Sequence, residues 1–463
     1  MSRRSIREYI QRKREDYEGE FPERKTRAID EVCRTTGLSR KYVIRLLNGK
    51  VEYRERKGRG KTYKGDVVEV LKAVWRSAGC PCLPYFKAQV GMWADEYSAN
   101  VEPIGGEARG LLLKMSARTM SRLLDGEVRV KPGWSKANRR SGRNGANLIK
   151  GLVPCASGEA VMACEVPPGD LQVDTFALGG GDASDNFFWI LSCTDRRTQW
   201  TELSPAWNRS RNATCSALDR CLGRFPFPVQ AIHSDNGCET LNFHVAAYLG
   251  QRPGRPFMWR SRPRRSNDNA HVEEKNRSVG RQLFGEIRLD CPGLNADLVE
   301  LCAMWSDFTN FFRPCKMLVA KAKRAGGKGF ACAYDSPRTP FERVLESKDL
   351  PEEGKRELAA RKAKMVGIKL LAKIERKLQR IRRTQEKYNK ARREHNSPLL
   401  AAMVADSALC AAPSGSSAPL RGKTSRRQLA CNAKTARSHE RSLGVQYLAN
   451  QKPPPYLAGA LSI

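Results

Sequence analysis

The segment from about residue 160 to 290 constrains the fold most tightly. Three short apolar runs, LQVDTFAL, FFWILSCT and TQWTELSP, follow one another, with DRR (Asp195 to Arg197) as the turn between the last two. Runs this short, rich in aromatic and β-branched residues and bounded by turn formers, read as strands. A helical stretch follows over 212–224, then a strand at VQAIHSD, a helix over 240–249, a strand at FMWRS and a helix from about 268 to 284. Three antiparallel strands followed by alternating helices and strands predict an α/β domain.

That element order is the one expected of a ribonuclease-H-like domain, a mixed five-stranded sheet flanked by helices, over 161–300. Ahead of it, residues 1–130 read as helical. RAIDEVCRTTGLSRKYVIRLLN (27–48) has Ile29, Val32 and Cys33 on one face, a break at Gly37, then Tyr42, Val43, Leu46 and Leu47. The glycine supplies a positive-φ turn. The spacing from Cys33 to Gly37, Val43 and Leu46 predicts a helix-turn-helix with Ser39, Arg40, Lys41 and Arg45 facing a DNA groove. An ordinary helical hairpin with a basic outer face has the same pattern. A second, weaker helix-turn-helix candidate is 111–126, with Ser116 as N-cap and Arg118 and Arg122 on its open face.

Residues 131–160 read as a basic linker: its first twenty, KPGWSKANRRSGRNGANLIK, carry six basic residues and no acid, suited to tracking phosphates. After the core comes a segment over 301–350 in which Met304, Trp305, Phe308, Phe311 and Phe312 recur at helical spacing, a core pattern before a base-stacking one. A long charged helix over 351–395 carries the stripe Leu371, Ile374, Leu378 and Ile381, which predicts packing on the body or on a second subunit. Residues 396–463 have no periodicity and are expected to be disordered.

Charge narrows the partner. The chain carries 83 Lys and Arg against 49 Asp and Glu, a formal net charge of +34, so a polyanion is expected. No run of about 18 apolar residues exists to span a bilayer, and MSRRSIREYIQRKRE lacks the apolar region of a secretory signal. Nucleic acid, DNA or RNA, is left as the expected polyanion of a protein without a membrane association; the helix-turn-helix spacing favours double-stranded DNA, and a cytoplasmic, nucleoid-associated protein is expected. The 15 cysteines form no CxxC pair and no histidine precedes His233, so no structural zinc is expected.

Three acids stand where this topology would gather them: Asp174 in the first strand, Asp235 ending the fourth, and Glu273 on the helix of NDNAHVEEKN. Mg²⁺ favours hard oxygen ligands and takes one or two carboxylates. Two such ions about 4 Å apart activate a nucleophile and stabilise the leaving oxygen in phosphoryl displacement. Singly the acids mean little, since an aspartate before Asn-Gly is more often a turn former and an acid on a basic helix a salt-bridge partner. The neighbouring Glu274 competes with Glu273, because successive helix residues point about 100° apart. Arg277 and Arg281, on the same helix, are candidates for holding phosphates beside the metals.

The strings DLQVDT, HSDNG and NDNAHVEEKN, in that order, resemble the catalytic motifs of bacterial insertion-sequence DDE transposases of the retroviral-integrase superfamily. TNFFRPCKML and YDSPRTPFERVL resemble segments that follow the core in the same transposases, so the likeness spans roughly 165–345. It implies a ribonuclease-H-like fold, two Mg²⁺ or Mn²⁺ ions per active site, and recognition of terminal inverted repeats of a mobile element. The catalytic and metal-binding acids then fall on Asp174, Asp235 and Glu273, the glutamate five residues after Asp268 being favoured over Glu274. Retroviral integrases carry a zinc-binding His/Cys domain in front, which this sequence lacks. A DNA transposase acting as a homo-oligomer is the expected function, since two element ends must be joined. The alternatives are a DNA-binding regulator whose ribonuclease-H-like domain is an inactive scaffold, or a nuclease acting on RNA hybrids.

Overall fold

The computed structural model describes residues 3–50, 63, 65–125, 148–156, 166–182, 184–208, 210–235, 237, 239–262, 266–324, 329–395, 397–405 and 426–458. They fall into two compact units, Met1–Lys64 and Gly65–Ile463.

The first unit holds three helices, α1 (Arg3–Glu18), α2 (Pro22–Thr36) and α3 (Arg40–Leu47). Pro22 opens α2, where its missing N–H costs nothing. Gly37, at φ 70°, closes it, its N–H donating to Cys33 O. Ile10, Tyr17, Ile29, Val32, Val43, Leu46 and Leu47 form the core of this unit, so the two faces expected of the 27–48 segment are the buried ones.

The second unit opens with α4 (Gly65–Ser77), α5 (Leu83–Asn100), α6 (Gly106–Lys114) and α7 (Ala117–Leu123). Ser116 caps α7 by accepting the Thr119 N–H, as its sequence position suggests. Most of the expected linker, 131–147 and 157–160, lies outside the described residues. Its remaining part is not a linker: 148–156 form a 3-10 turn and the strand β1 (Cys155–Ala156), with Ile149 and Val153 buried. Arg260 Nε donates to the Lys150 and Val153 carbonyls and ties the segment down.

The sheet continues with β2 (Asp170–Ala177), β3 (Phe188–Asp195) and β4 (Thr201–Trp207), then α8 (Arg211–Leu222), β5 (Ala231–Ser234), α9 (Phe243–Gln251) and β6 (Phe257–Ser261). Its order is β1-β6-β5-β2-β3-β4. It therefore has six strands where five were expected, the addition being the two-residue pairing of β1 with β6. β2, β3 and β4 are antiparallel, while β5 runs parallel to both β2 and β6. Val173, Leu191, Ile232 and Met258 share one face with Thr214, Leu218 and Val245 of α8 and α9.

On the other face lie α10 (Ala270–Lys275), a π-helical turn (Asn276–Gly280) and α11 (Arg281–Phe284), where one regular helix was expected. Next comes α12 (Asn295–Phe312), in which Trp305, Phe308, Phe311 and Phe312 are buried core residues. α12 also closes the exposed edge of the sheet. Ser306 Oγ and Asn310 Oδ1 accept the N–H groups of Leu203 and Thr201 on β4, so those ladder groups are satisfied without another strand.

A separate hairpin, β7 (Leu318–Lys323) with β8 (Phe330–Tyr334), precedes α13 (Pro340–Glu346), which starts with a Thr339–Glu342 capping box. The single helix expected over 351–395 is two, α14 (Glu352–Ala363) and α15 (Gly367–Arg393). The break delivers Gly367 against Trp93 and Phe312, where a Cβ would come within 2.8 Å of both rings. Leu371, Ile374 and Ile381 of α15 are buried, and the helix packs along α12.

The expectation of disorder over 396–463 is corrected for its described parts. They form α16 (Ser397–Ala405), α17 (Arg426–Asn450) and a 3-10 turn at Pro455–Leu457. α17 docks on α9 through a glycine from each helix: a Cβ on Gly250 would meet Tyr447 at 2.8 Å, and one on Gly444 would meet the Phe243 carbonyl at 2.5 Å. Close approach through two glycines leaves no apolar periodicity to read. Among the described residues no helix is long and apolar enough to cross a membrane.

Candidate functional site

β2 and β5 run parallel, their register ending at the pair Val173↔Ser234. One step further along each chain are Asp174 and Asp235. Neighbouring strands lie about 4.8 Å apart, so the two aspartates stand side by side where β5 ends and β2 runs on to Ala177. Both are half-buried. Asp174 Oδ2 accepts a hydrogen bond from Asn276 Nδ2 at 2.8 Å and its Oδ1 one from the Thr175 N–H at 2.7 Å. Asp235 Oδ1 accepts the Gly237 N–H at 2.8 Å, an Asx turn that reverses the chain.

That reversal brings in a carboxylate that sequence reasoning missed. Glu239 Oε1 accepts from Thr175 Oγ1 at 3.3 Å. A Cβ on Gly237 would meet Asp235 Oδ1 at 2.7 Å and the Glu239 carboxyl at 3.0 Å. The signal was local: Gly237 folds the residues after HSDNG back onto the strand ends, so the next acid returns to the site.

Glu273 lies on α10, whose path is fixed by alternate residues of β2. Gln172 Oε1 accepts the N–H groups of His271 and Val272, and its Nε2 donates to the Asp268 carbonyl. A strand side chain thus satisfies donors that the helix N-terminus leaves open. Two residues on, Asp174 meets Asn276. Two further, Phe176 faces Gly280, where a Cβ would come within 2.4 Å of its ring, and packs on Phe284 with ring centroids 6.4 Å apart. Four helical residues rise about 6.0 Å and two strand residues about 6.6 Å, so the pairings stay in step. Glu273, exposed, stands one turn before Asn276.

Glu274 faces the other way. It lines a cavity of about 1000 Å³ together with Lys275, Arg277, Tyr85, Arg313 and Lys316. Lys275 Nζ is 3.7 Å from its carboxylate. Arg277, four residues after Glu273 and so on its face in a regular α-helix, joins Glu274 on the cavity wall, because the π-turn widens the helix after Lys275 and shifts its phase. Arg281 is half-buried.

Burial alone would push the Lys275 ammonium down, but Cys315 and Glu274 more than offset it and hold it above its usual value. Burial brings Arg313 down to about 10 against the opposing pull of Glu274 and Cys315. His271 is pushed down to about 4 by burial, with Arg196 and Lys275 adding to the effect, so it is neutral near pH 7.

Of the other expected DNA-contacting residues, Ser39, Arg40, Lys41 and Arg45 are all exposed on or beside α3, Arg40 being ion-paired with Asp30 of α2. Arg118 and Arg122 are exposed on α7. Among the described residues no group of three His, Cys, Asp or Glu side chains stands as a ready metal cage. The described cysteines are free thiols.

No protein-family model matches the chain. It is similar to "Uncharacterized protein y4rM" of Sinorhizobium fredii (strain NBRC 101917 / NGR234), with 31% identity over 322 residues that cover 69% of this chain and 89% of that protein.

Proposed function

We propose that this chain, which belongs to the same family as Uncharacterized protein y4rM, is a DNA transposase that cuts and joins DNA at the β2/β5 edge. The observation that carries the reading is the emergence of Asp174 and Asp235 side by side from two parallel central strands, with Glu273 one helical turn from the residue that holds Asp174. The five longer strands support a ribonuclease-H-like domain: in their own chain order they lie 5-4-1-2-3, the first three antiparallel and the last two parallel.

The donor set fits a hard divalent cation, since every one of these side chains offers carboxylate oxygen. Bound Mg²⁺ or Mn²⁺ ions would supply Lewis-acid stabilisation of the attacking and leaving oxygens. Asp174, Asp235 and Glu273 are the residues that would hold them. Asn276 fixes the direction of the Asp174 carboxylate, and the Gly237 N–H does the same for Asp235. The first strand cut frees a 3′-OH, which then attacks target DNA at the same acids. The exposed basic residues of α3 are suited to holding the element ends, and joining two ends calls for a homo-oligomer.

A DNA-binding regulator is the second reading, favoured by the exposed Arg40, Lys41 and Arg45 on a helix of a separate compact unit. An end-joining assay separates the two. Purified chain, labelled element-end DNA and Mg²⁺ or Mn²⁺ are expected to yield cut and joined products, lost in Asp235→Asn and Glu273→Gln and kept in Glu274→Gln. Equal end binding by wild type and Asp235→Asn, with no cutting by either under both metals, would establish the regulator instead. Loss in Glu274→Gln but not Glu273→Gln would reverse the assignment of the third acid.

A further inference from the structure

The cavity on the far side of α10 has an excess of positive charge. Lys275, Arg277, Arg313, Lys316 and Lys321 line it, and among the described lining residues Glu274 is the only acid. Two of those cations are held away from water. Lys275 is 4% exposed. The Arg313 guanidinium lies over the Trp305 ring at 5.4 Å and donates to Gln282 Oε1 at 2.6 Å, yet its Nη1 is buried with no hydrogen-bond partner among the described residues. A buried unmet donor on a charged group is costly, and one carboxylate shared by two buried cations leaves net charge in a concave, low-dielectric place. Such a place attracts anions.

Aromatic rings share the wall with these cations. Tyr85, Phe86 and Phe312 line the interior, and Tyr334, 57% exposed, stands at the rim on the β7/β8 hairpin. Cations interleaved with aromatic faces are how proteins hold unpaired nucleotides, the charge taking the phosphate and the ring taking the base. The volume is ample for one such unit. Gln172 joins the cavity to the acids: it lines the cavity and lies two residues before Asp174, about 6.6 Å along the strand.

We infer that this cavity is a binding site for an unpaired nucleotide, with the phosphate held by Arg313 and Lys275 and the base against Tyr85 and Tyr334. The nucleotide can come from an unpaired stretch of a DNA strand or from free nucleotide in solution, since both present the same phosphate and ring. The proposed transposase reading supplies the reason for a DNA strand to be here, but binding itself requires no cleavage.

The test uses the full chain in EDTA, so that chemistry is off and a failure of the cleavage assay is a separate result. A short labelled oligothymidylate is titrated by fluorescence anisotropy, with thymidine monophosphate and a blunt duplex of equal length as competitors. Arg313→Met, Tyr334→Ala and the double variant Lys316→Glu/Lys321→Glu are each expected to weaken binding roughly tenfold. The double variant should also lower the salt slope by about 0.7 for each phosphate it no longer neutralises. Tyr334, Lys316 and Lys321 are on the surface, so their variants keep the test open if Arg313→Met fails to fold. Photocrosslinking of a bromodeoxyuridine-substituted strand is expected to label Tyr85 or Tyr334. Competition by thymidine monophosphate supports a free-nucleotide site, and its failure alongside oligothymidylate binding supports the strand. Unchanged affinity in the two surface variants, crosslinks confined to other residues, or a blunt duplex competing as well as the single strand would overturn the proposal.

Discussion

The side-chain amide of Asn276 donates to Asp174 Oδ2 at 2.8 Å, so the carboxylate on β2 takes its direction from the helix that also carries Glu273. Asp174 lies between Gln172, which holds the start of α10, and Phe176, which packs on Gly280 and Phe284. One strand therefore carries a carboxylate held by the helical segment and sets the path of the helix bearing Glu273.

Asn276→Ala is expected to leave DNA binding in EDTA unchanged while lowering cleavage by about 10- to 100-fold, the usual cost of removing a residue that orients a metal ligand. The Mg²⁺ concentration needed for half-maximal cleavage should rise. An unchanged Mg²⁺ titration would show that Asn276 does not orient Asp174 for metal binding.

Gly280→Ala tests the close approach of the π-turn to the sheet. The added methyl would stand 2.4 Å from the Phe176 ring, and overpacking of this kind costs about 1–3 kcal/mol. Denaturant unfolding should register that loss, and adding Phe176→Leu should recover part of it. Full stability in Gly280→Ala alone would mean the helix moves away freely.

Acid stability should depend on His233. It is stacked on Trp259 with centroids 3.9 Å apart, and burial, then Arg196, push it down to about 3. Between about pH 6.5 and 3 the unfolded chain holds a proton on this ring that the folded chain does not, so its contribution is complete above pH 6.5 and is lost on acidification. The slope is at most about 1.4 kcal/mol per pH unit. His271, pushed down to about 4, acts in the same direction. Asp195 acts oppositely: burial raises it to about 6, so the folded chain takes up its proton first. The His233→Asn variant should be less stable than wild type near pH 7, with the difference narrowing by pH 5. A gap independent of pH would contradict burial of the neutral ring.

Charge removal on α3 should weaken element-end binding and flatten its salt dependence. Lys41→Ala and Arg45→Ala are each expected to lower the slope of log K against log salt by about 0.9 for each phosphate left without its cation. The effect of Arg40→Ala should be smaller, because Asp30 already neutralises this residue. Slopes identical to wild type in all three would remove α3 from the DNA interface.

The sheet was legible in the sequence because strand signals are local. LQVDTFAL, FFWILSCT and FMWRS carry their own alternation or apolar run, and each stands within a few residues of β2, β3 and β6. The positions of Asp174 on β2 and of Asp235 just past β5 were legible with them, since both follow from strand register. The π-turn was not legible, because it accompanies the packing of Gly280 on Phe176, residues far apart in sequence. The break before Gly367 is hidden for the same reason: a regular helix pattern does not reveal the Trp93 and Phe312 rings awaiting that glycine. Glu239 needed the Gly237 turn to bring it back, and the cavity needed α5, α10, α12 and the β7/β8 hairpin together.

Gln451 closes the outer edge of β6, its Oε1 accepting the Met258 N–H and its Nε2 donating to the Met258 carbonyl. The pair is separated by 193 residues. At about 5–20 residues per second of synthesis, β6 waits roughly 10–40 s on the ribosome with that edge open. During that interval Met258 presents a free ladder position to any extended chain nearby. Nascent copies made on one messenger are therefore most open to mispairing at this edge until residues 447–451 emerge, and a holding chaperone that masks β6 would raise the yield of correctly closed chains.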